Sequence, residues 1–284
     1  MTDSRPPSSA PGEPLTPPAP GEPLPPELRD PARLRRLIRQ GRWDRPTAGL
    51  APGFVQANLV ILPAEFALDF LTFCVRNPKP CPVLEVTAPG SPHPRQLAAD
   101  ADLRTDVPRY RIYRHGTLEA EVTDIISLWR EDLVAVLLGC SFTFERALLQ
   151  AGIGLRHWEL GRNVPMYVTD RQCCPSANFR GPLVVSMRPI PHALVPRAVA
   201  VTAQYPRVHG APVHIGSPAA LGIKDLERPD YGDPVPVQPG EIPVFWACGV
   251  TPQRAALESR IPFMITHAPG HMFVGDRRDE DFLG

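Results

Sequence analysis

The clearest pattern of apolar positions lies near the carboxyl end of the chain, from Val244 to Phe273. An apolar run leads into a polar turn, an amphipathic stretch, a second apolar run and a second turn. This pattern predicts a strand, a helix and another strand. A helical crossover of this kind predicts that the two strands are parallel neighbours. Ligands of parallel sheets bind beyond the carboxyl ends of the strands, so both turns are predicted to meet at one edge.

Other segments alternate between the periodicities of helices and strands. Helices are predicted after the cap Asp30, at Pro63–Val75, 142–150 and 196–204, and briefly after Ser217-Pro218. Strands are predicted at 83–87, 164–169, 183–187 and 213–215, with a hairpin around His115-Gly116. The apolar run Leu133–Leu138 fits a buried strand or a helix. Such alternation favours an α/β or α+β fold.

Composition sets a boundary at the amino-terminal end. Residues 1–27 are rich in Pro, Ser and Gly and poor in large apolar side chains, so we expect a disordered tail. Residues 28–284 form one predicted catalytic region, and 43% of the whole chain is apolar. No apolar run reaches the length of a membrane span, and no signal-peptide segment stands at the start. We therefore expect a cytoplasmic protein without a membrane partner.

Charge and cysteine usage narrow the classes of ligand. The formal net charge is +0, so the chain offers no strong field to attract nucleic acid. Only Lys79 and Lys224 are lysines. The chain has six cysteines but no paired CxxC motif, so we expect neither a structural metal nor a cofactor. The expected partner is a small-molecule substrate, and assembly into a homo-oligomer stays open.

The first turn of the carboxyl-terminal pattern holds Cys248 and Thr251. Thr251 is predicted to cap the helix, with Pro252 at its first position. The free amides of that helix start would suit a substrate carboxylate. The alternative is an ordinary capped helix with a small buried cysteine.

The second turn holds His267 and His271, four residues apart. On a helix this spacing would put both rings on one face and suit zinc, but Pro269 and Gly270 break a helix. As a general acid–base pair the two rings would titrate in a useful range. The alternative is that each ring bonds a nearby backbone group.

A third candidate group is Cys140, Ser141 and Glu145. If the preceding run is a strand, Cys140 and Ser141 lie at a strand-to-helix turn where nucleophiles are exposed, although the GxSxG pattern is absent. Ser141 is a candidate cap for the helix, and Glu145 comes one residue too late for a capping box. Glu145 is therefore predicted to lack a local partner and to serve as a general base. The alternative is a helix start with a surface glutamate.

Basic residues beside rigid turns are the last candidates for the functional site. Arg188 ends a predicted strand, and Arg76 precedes a Pro-rich turn, so each could grip a carboxylate. His214 belongs to a turn whose Gly210 and Pro212 would aim His209. Surface cations and structural turn residues are the alternatives.

Several blocks of sequence, taken together, resemble a bacterial hydro-lyase family that is itself similar to one part of mitochondrial D-glutamate cyclase. The blocks are RNPKPCP, LLGCSFTFE, NVPMY, VVSMRP, RVHGAPVHIG, FWACGVTPQ and THAPGHMF, over roughly residues 54–276. The resemblance implies an α/β fold with two interleaved lobes, a three-layer sandwich and a smaller α+β unit at about residues 115–225. It also implies carbon–oxygen lyase activity, with closure of D-glutamate to 5-oxo-D-proline as the favoured reaction.

This reaction would give three tasks to the candidate residues. Arg188 or the helix start at Thr251 would hold the α-carboxylate. His267 or Glu145 would take a proton from the ammonium group.

The third task is protonation of the leaving oxygen, by His271 or His214. Ser141 and Arg76 would be further contacts with the substrate. A covalent route through Cys140 or Cys248 ranks lower, because no histidine adjoins either cysteine in the sequence.

Two other classes of function stay open. A binding or regulatory protein could hold an amino acid or another carboxylate without turning it over. A metal-dependent hydratase could use several of the histidines, although the sequence offers no strong ligand spacing.

Overall fold

A computed structural model describes Leu15 and residues 23–284 of the chain. The predicted disorder of residues 1–27 lies outside the described residues, apart from Leu15 and the segment from Pro23. The α-helices of the described part are α1 (Pro26–Arg29), α2 (Pro31–Arg39), α3 (Ala64–Arg76), α4 (Phe142–Gln150), α5 (Arg156–Glu159), α6 (Val195–Ala203) and α7 (Thr251–Ser259). None of these helices has the length and apolar character needed to cross a membrane.

The strands make two sheets. They are β1 (Phe54–Pro63), β2 (Val83–Val86), β3 (Tyr110–Arg114), β4 (Thr117–Val122), β5 (Leu133–Gly139), β6 (Met166–Gln172), β7 (Pro182–Pro191), β8 (His214–Ile215), β9 (Glu241–Ala247), β10 (Met264–His267) and β11 (Phe273–Arg278). A seven-stranded sheet has the order β2-β5-β1-β10-β3-β4, with β11 also beside β1, and a four-stranded sheet has the order β6-β7-β9-β8. The predicted mixed α/β fold is confirmed. The lobe boundary at about residues 115–225 stays a prediction.

The predicted parallel pair at the carboxyl end is wrong. Its two strands, β9 and β10, lie in different sheets, and α7 carries the chain from one sheet to the other. β10 pairs antiparallel with β1 and β3, while β9 pairs antiparallel with β7 and β8. Local periodicity gave the correct elements, but it carries no information on which distant strand each one meets.

Several local predictions are confirmed. The hairpin around His115-Gly116 is β3–β4, and the helix predicted at 142–150 spans Phe142–Gln150. The apolar run Leu133–Leu138, for which strand and helix were both open, is strand β5. Asp30 caps α2 by accepting a hydrogen bond from the backbone amide of Arg33.

The central strand, β1, was not recognised in the sequence. It is buried from Val55 to Pro63, and both of its faces are covered, so apolar and polar positions do not alternate. Gln56 and Asn58 interrupt the apolar run, yet both amides are buried and hydrogen-bonded, to Thr47 and to the carbonyl of Gly139 respectively.

One edge of β1 is shared by two strands, β10 and β11, and the chain leaves the sheet between them. Val60 lies opposite Thr266, and Ala57 lies opposite Phe273. Three steps along β1 therefore face seven steps along its partner, so the partner segment is four residues longer here and bulges out of the sheet. We call residues 268–272 the extruded loop. It opens a gap in the sheet beside Leu59, and this gap positions the candidate site.

Two apolar cores cover the faces of the seven-stranded sheet. One core packs Leu59, Ile61 and Leu137 against Trp246 of the four-stranded sheet and Phe144 of α4. The other packs the opposite face against side chains from α3 and α7. Each large side chain buried in this way stabilises the fold by about 1.5–3 kcal/mol. The packing holds the starts of α4 and α7 against the ends of their preceding strands.

Candidate active site between the two sheets

A buried ion pair joins the two sheets. Arg188 of β7 and Glu145 of α4 are 1% and 0% exposed, and the Nε of Arg188 donates to Oε1 of Glu145 over 3.0 Å. The sequence predicted only that Glu145 lacks a local partner, and the structure gives it a distant one. Its partner lies 43 residues away in the sequence, so no local capping rule could find it.

Glu145 has further partners. Trp158 donates through its indole Nε1 to Oε2 at 2.8 Å, and His157 Nε2 lies 3.0 Å from Oε1 without a well-directed hydrogen bond. Burial raises the pKa of Glu145, but the charges and hydrogen bonds of His157 and Arg188 outweigh burial, and the pKa ends below its ordinary value. Glu145 is therefore an ionised carboxylate in an ion pair with Arg188. Its lowered pKa makes it a weaker base, which disfavours a role as general base.

Arg188 is nearly saturated as a donor. Besides Glu145, it donates through Nη2 to the hydroxyl of Ser141 at 3.0 Å and through Nη1 to Ser186 at 3.1 Å. The guanidinium lies between the rings of Phe144 and Trp246, at 5.6 and 5.4 Å from their centres. Among the described residues, only the second Nη1 hydrogen is left without an acceptor.

We call Arg188, Glu145, Ser141, Ser186 and His157 the Arg188 group. Within this group Ser141 does not act as a helix cap, because it has helical dihedral angles and makes no capping hydrogen bond. Its hydroxyl accepts from Arg188 instead.

The two candidate cysteines belong to one buried cluster. Cys140 and Cys248 follow strands β5 and β9, and they pack together with Val164 and Met272. Burial raises the pKa of Cys140 far above its ordinary value and raises that of Cys248 to about 11. Both thiols are therefore protonated near neutral pH, which counts against a thiolate nucleophile.

The turn after Cys248 lies directly over β1. A side chain at Gly249 would place its Cβ 2.0 Å from Nδ2 of Asn58, so only glycine fits there. Asn58 in turn donates to the carbonyl of Gly139 at 2.6 Å. Thr251 is the first residue of α7 rather than its cap, and its hydroxyl donates to the carbonyl of Cys248 at 2.7 Å.

His267 fills the gap that the extruded loop leaves in the sheet. The backbone N–H of Leu59 lies 3.0 Å from Nδ1, and the carbonyl of Leu59 lies 3.2 Å from the same atom. These two contacts need opposite tautomers. The N–H contact is the shorter one, and its hydrogen is fixed by the backbone, so we assign the ring proton to Nε2. That Nε2 is buried and has no partner among the described residues.

The protonation of His267 follows from its burial. The residue is 1% exposed, and burial lowers its pKa to about 4, with a smaller contribution from His271. The ring is therefore neutral at pH 7. It presents one unused N–H donor at the sheet gap.

Two amide oxygens without partners accompany this donor. Gln253 donates through Nε2 to the carbonyl of His267 at 2.8 Å, and Asn163 donates through Nδ2 to the carbonyl of Pro269 at 3.2 Å. These hydrogen bonds fix the amide orientations, so Oε1 of Gln253 and Oδ1 of Asn163 are acceptors, and both are buried without a partner. We call His267, Gln253 and Asn163 the His267 group. Unpartnered buried polar atoms are costly and mark a place for a ligand or water.

His271 stands beside this group in the extruded loop. Its Nδ1 lies 3.0 Å from the carbonyl of Pro269, which places a hydrogen on Nδ1 and a lone pair on Nε2. Burial lowers the pKa of His271, so it also stays neutral at pH 7. It can accept a proton through Nε2.

The remaining predicted residues have other surroundings. Arg76 is exposed at the end of α3, where it donates to the carbonyl of Pro175. His214 bonds the carbonyl of Ser217 at 2.8 Å, and its ring packs against Phe245. Neither makes a hydrogen bond or ion pair with either group within the described part of the chain. Their assignment to substrate binding stays a prediction.

The structure adds residues that sequence reasoning did not select. Asn163, Gln253 and Lys79 fall inside the quoted blocks of resemblance, but nothing in their local pattern separates them from ordinary turn residues. His209 was noted only as a ring that Gly210 and Pro212 would aim, without a role. Asn58 does carry a local signal, because it is a polar residue inside an apolar run.

Two geometric findings concern ligands. An open cleft of about 430 Å³ lies on the four-stranded sheet, lined in part by Tyr167, Lys224 and Asp230, and it contains none of the candidate residues. Within the described ranges, no cluster of three or more His, Cys, Asp or Glu side chains is arranged to hold a metal ion.

Comparisons with known proteins find similar sequences in bacteria. The family model described as D-glutamate cyclase matches residues 134–276. A protein of Rubrobacter xylanophilus described as "Putative hydro-lyase" is 68% identical over 251 residues, which cover 88% of this chain and 97% of that protein. A relative from Bacillus subtilis with the same description is 56% identical over 250 residues, covering 88% of this chain and 97% of its own.

One solved structure overlaps weakly with this fold. A nitrogen repressor-like protein from Methanococcus jannaschii covers 79% of this chain and 88% of its own, with a TM-score of 0.36 at 10% identity. That likeness is too low to bear on fold or function.

Proposed function

The chain belongs to the D-glutamate cyclase family, whose bacterial relatives carry hydro-lyase descriptions, and from that membership we propose that it closes D-glutamate to 5-oxo-D-proline with loss of water. The α-nitrogen forms a bond to the γ-carboxyl carbon, and one C–O bond of that carboxyl breaks. The ammonium group loses two protons, and both leave with the departing oxygen as water. The reaction therefore needs no net proton and no oxidant.

The observation that carries this proposal is the His267 group at the gap in the sheet. Gln253 donates to the backbone carbonyl of His267 and Asn163 to that of Pro269, and the two amide oxygens and the imidazole N–H are each buried without a partner among the described residues. Amide oxygens suit an ammonium group, which is a donor only. An imidazole N–H suits a carboxyl oxygen. An amino acid with a second carboxyl group offers this combination.

His267 acts in this proposal as a neutral hydrogen-bond donor. Its Nε2–H contacts the γ-carboxyl oxygen and stabilises the negative charge that grows there when nitrogen attacks. A neutral imidazole can polarise a carbonyl in this way. With a pKa of about 4, the ring is not protonated at neutral pH, so it does not deliver the proton to the leaving oxygen.

His271 moves the protons. Its Nε2 lone pair accepts a proton from the ammonium group and passes it to the leaving oxygen. The Nδ1 contact with Pro269 keeps this lone pair directed away from the loop backbone. The sequence led us to expect that His267 or Glu145 takes the ammonium proton and that His271 or His214 protonates the leaving oxygen. In this proposal His271 does both, because the tautomer of each ring depends on the backbone groups that surround it.

The Arg188 group supports the site rather than reacting. The pairing of Arg188 with Glu145, Ser141 and Ser186 locks the start of α4 against β7. Direct closure is favoured over a covalent route, because the thiols of Cys140 and Cys248 are protonated at neutral pH.

The test is a product assay with purified full-length chain. D-glutamate and L-glutamate are incubated separately, and 5-oxoproline is measured by mass spectrometry with chiral separation. We expect product from the D form. His271→Gln should lower turnover strongly, whereas His192→Gln, at an exposed position outside the site, should leave turnover unchanged.

Two results would contradict the proposal. Absence of product from both enantiomers would remove the cyclase. If D-glutamate still raised the melting temperature in that case, a binding protein without turnover would be the better description.

A further inference from the structure

Lys79 and His209 form a second place where buried polar groups lack partners. His209 is 1% exposed, and its Nδ1 lies 2.7 Å from the carbonyl of Lys79. A carbonyl accepts, so Nδ1 carries the hydrogen and Nε2 has the lone pair. This Nε2 is buried and makes no well-directed hydrogen bond within the described part of the chain, although the backbone of Gly139 lies near enough to the ring to act on its pKa.

The fold builds this place from two close approaches of the backbone. A Cβ on Gly139 would come 2.2 Å from the carbonyl oxygen of Arg207, so only glycine lets that segment pack on the end of β5. The next residues turn sharply, with His209 in a left-handed conformation at φ 82°. A Cβ on Gly210 would lie 4.0 Å from Nζ of Lys79, which brings the ammonium group beside the turn.

The charge at this place is not balanced. Lys79 is partly buried and makes no ion pair with a carboxylate of the described residues, and burial lowers its pKa. The charged groups that face His209 are Arg188 from β7 and Lys79 from the turn before β2. Arg188 is already neutralised by Glu145. Lys79 is therefore a half-buried cation that lacks an anion.

The same place connects to the His267 group through a short series of contacts. The carbonyl of Gly139, beside His209, accepts from Asn58 at 2.6 Å. The next residue, Leu59, contacts His267. Both places therefore adjoin the same two residues of β1, Asn58 and Leu59.

We propose that Lys79 and His209 bind one carboxylate of the substrate, and that this binding takes up one proton. The assignment of that carboxylate to a substrate rests on the proposed function. The lone pair of His209 Nε2 would repel an ionised carboxylate. A proton placed between Nε2 and one carboxylate oxygen makes a hydrogen bond instead. The ammonium of Lys79 balances the remaining charge.

Proton uptake gives the proposal a distinct signature. Burial above all, and then the charges of Arg188 and Lys79, lower the pKa of free His209 to about 4. An anion beside the ring raises it. Over the range of pH in which the free ring is neutral and the bound ring is protonated, the dissociation constant should fall about tenfold for each unit that the pH is lowered.

The small number of lysines allows a direct measurement. Lys79 and Lys224 are the only two in the chain, so reductive methylation with ¹³C-formaldehyde gives two lysine signals and one from the amino terminus. Glutarate, which carries two carboxylates and cannot cyclise, is titrated into the labelled protein. We expect the Lys79 signal to shift and the Lys224 signal to stay in place.

Matched variants assign the signals and test the site. Lys79→Met should weaken glutarate binding at least tenfold in calorimetry, Lys79→Arg should restore most of it, and Lys224→Met should bind as the original chain does. His209→Gln should abolish the proton uptake seen when the titration is repeated in buffers of different ionisation enthalpy. Circular dichroism and melting curves establish that each variant is folded.

Several outcomes would overturn the proposal. They are a Lys79 signal that glutarate does not move, binding of glutarate without proton uptake, and tighter binding of inorganic phosphate than of glutarate. The cyclase proposal is judged separately. Formation of 5-oxoproline that is indifferent to Lys79→Met would reject this site alone, and glutarate binding at Lys79 without any product would reject the cyclase alone.

Discussion

The Arg188 group and the His267 group are both buried at the start of a helix, yet their polar atoms are treated in opposite ways. Glu145 accepts from Arg188 and Trp158, and Arg188 has a single hydrogen left over. The one ring atom of this group without a well-directed hydrogen bond is Nε2 of His157, 3.0 Å from Oε1 of Glu145. In the His267 group, three buried polar atoms have no partner. A satisfied group stabilises a fold, whereas an unsatisfied one costs free energy unless something binds. The comparison therefore separates a supporting group from a reacting one.

The largest expected effect is on stability, at the satisfied group. Glu145→Gln leaves the guanidinium of Arg188 buried without its counter-charge, and breaking such a pair costs about 3–5 kcal/mol. Urea unfolding followed by circular dichroism measures the loss. The matched control is Glu119→Gln in the exposed pair with Arg114, for which less than about 1 kcal/mol is expected. A loss at Glu145 no larger than that at Glu119 would mean that the Arg188 group does not support the fold.

The next effect is on turnover, at the unsatisfied group. His267→Phe keeps a planar ring but removes the N–H donor that faces the γ-carboxyl oxygen, and loss of one such donor lowers kcat about 100-fold or more. Stability should change less than in Glu145→Gln. The measurement is the rate of 5-oxoproline formation alongside a urea melt. Full activity in His267→Phe would contradict the comparison, because the unpartnered atoms would then have no catalytic meaning.

The smallest effect is the response of stability to acid. The pKa of His267 and that of His209 are both lowered to about 4 in the folded chain, while an unfolded histidine titrates near 6.5. The unfolded chain therefore binds more protons between these values. Each histidine contributes stability that is complete above about pH 6.5 and falls by about 1.4 kcal/mol per pH unit as the pH drops towards 4.

Glu145 affects stability in a lower range of pH. Because its pKa is lowered in the folded chain, its contribution to the free energy of unfolding is lost only as the pH falls below the ordinary carboxyl pKa. Urea unfolding at pH 7, 6 and 5 tests the order. The slope should be shallower in His209→Gln, with His192→Gln as the unchanged reference. Equal slopes in the two variants would show that His209 is not held neutral by burial.

The sequence by itself determined the local elements and the family. Alternating apolar and polar positions around His115-Gly116 specify a hairpin. The apolar run Leu133–Leu138 fits a strand or a helix by its periodicity, and it is a strand. The ordered blocks also point to the hydro-lyase relatives. These features depend on neighbours along the chain, and short-range periodicity and turn chemistry encode them directly.

Only the tertiary structure decided which chemical state each candidate holds. Glu145 was expected to lack a local partner and instead forms an ion pair with the distant Arg188. The tautomer of His267 depends on Leu59, a residue 208 positions away. The parallel pair expected near the carboxyl end proved to be two strands of different sheets. Strand partners, desolvation and hydrogen-bond satisfaction arise from contacts between distant segments, and no local pattern of residues records them.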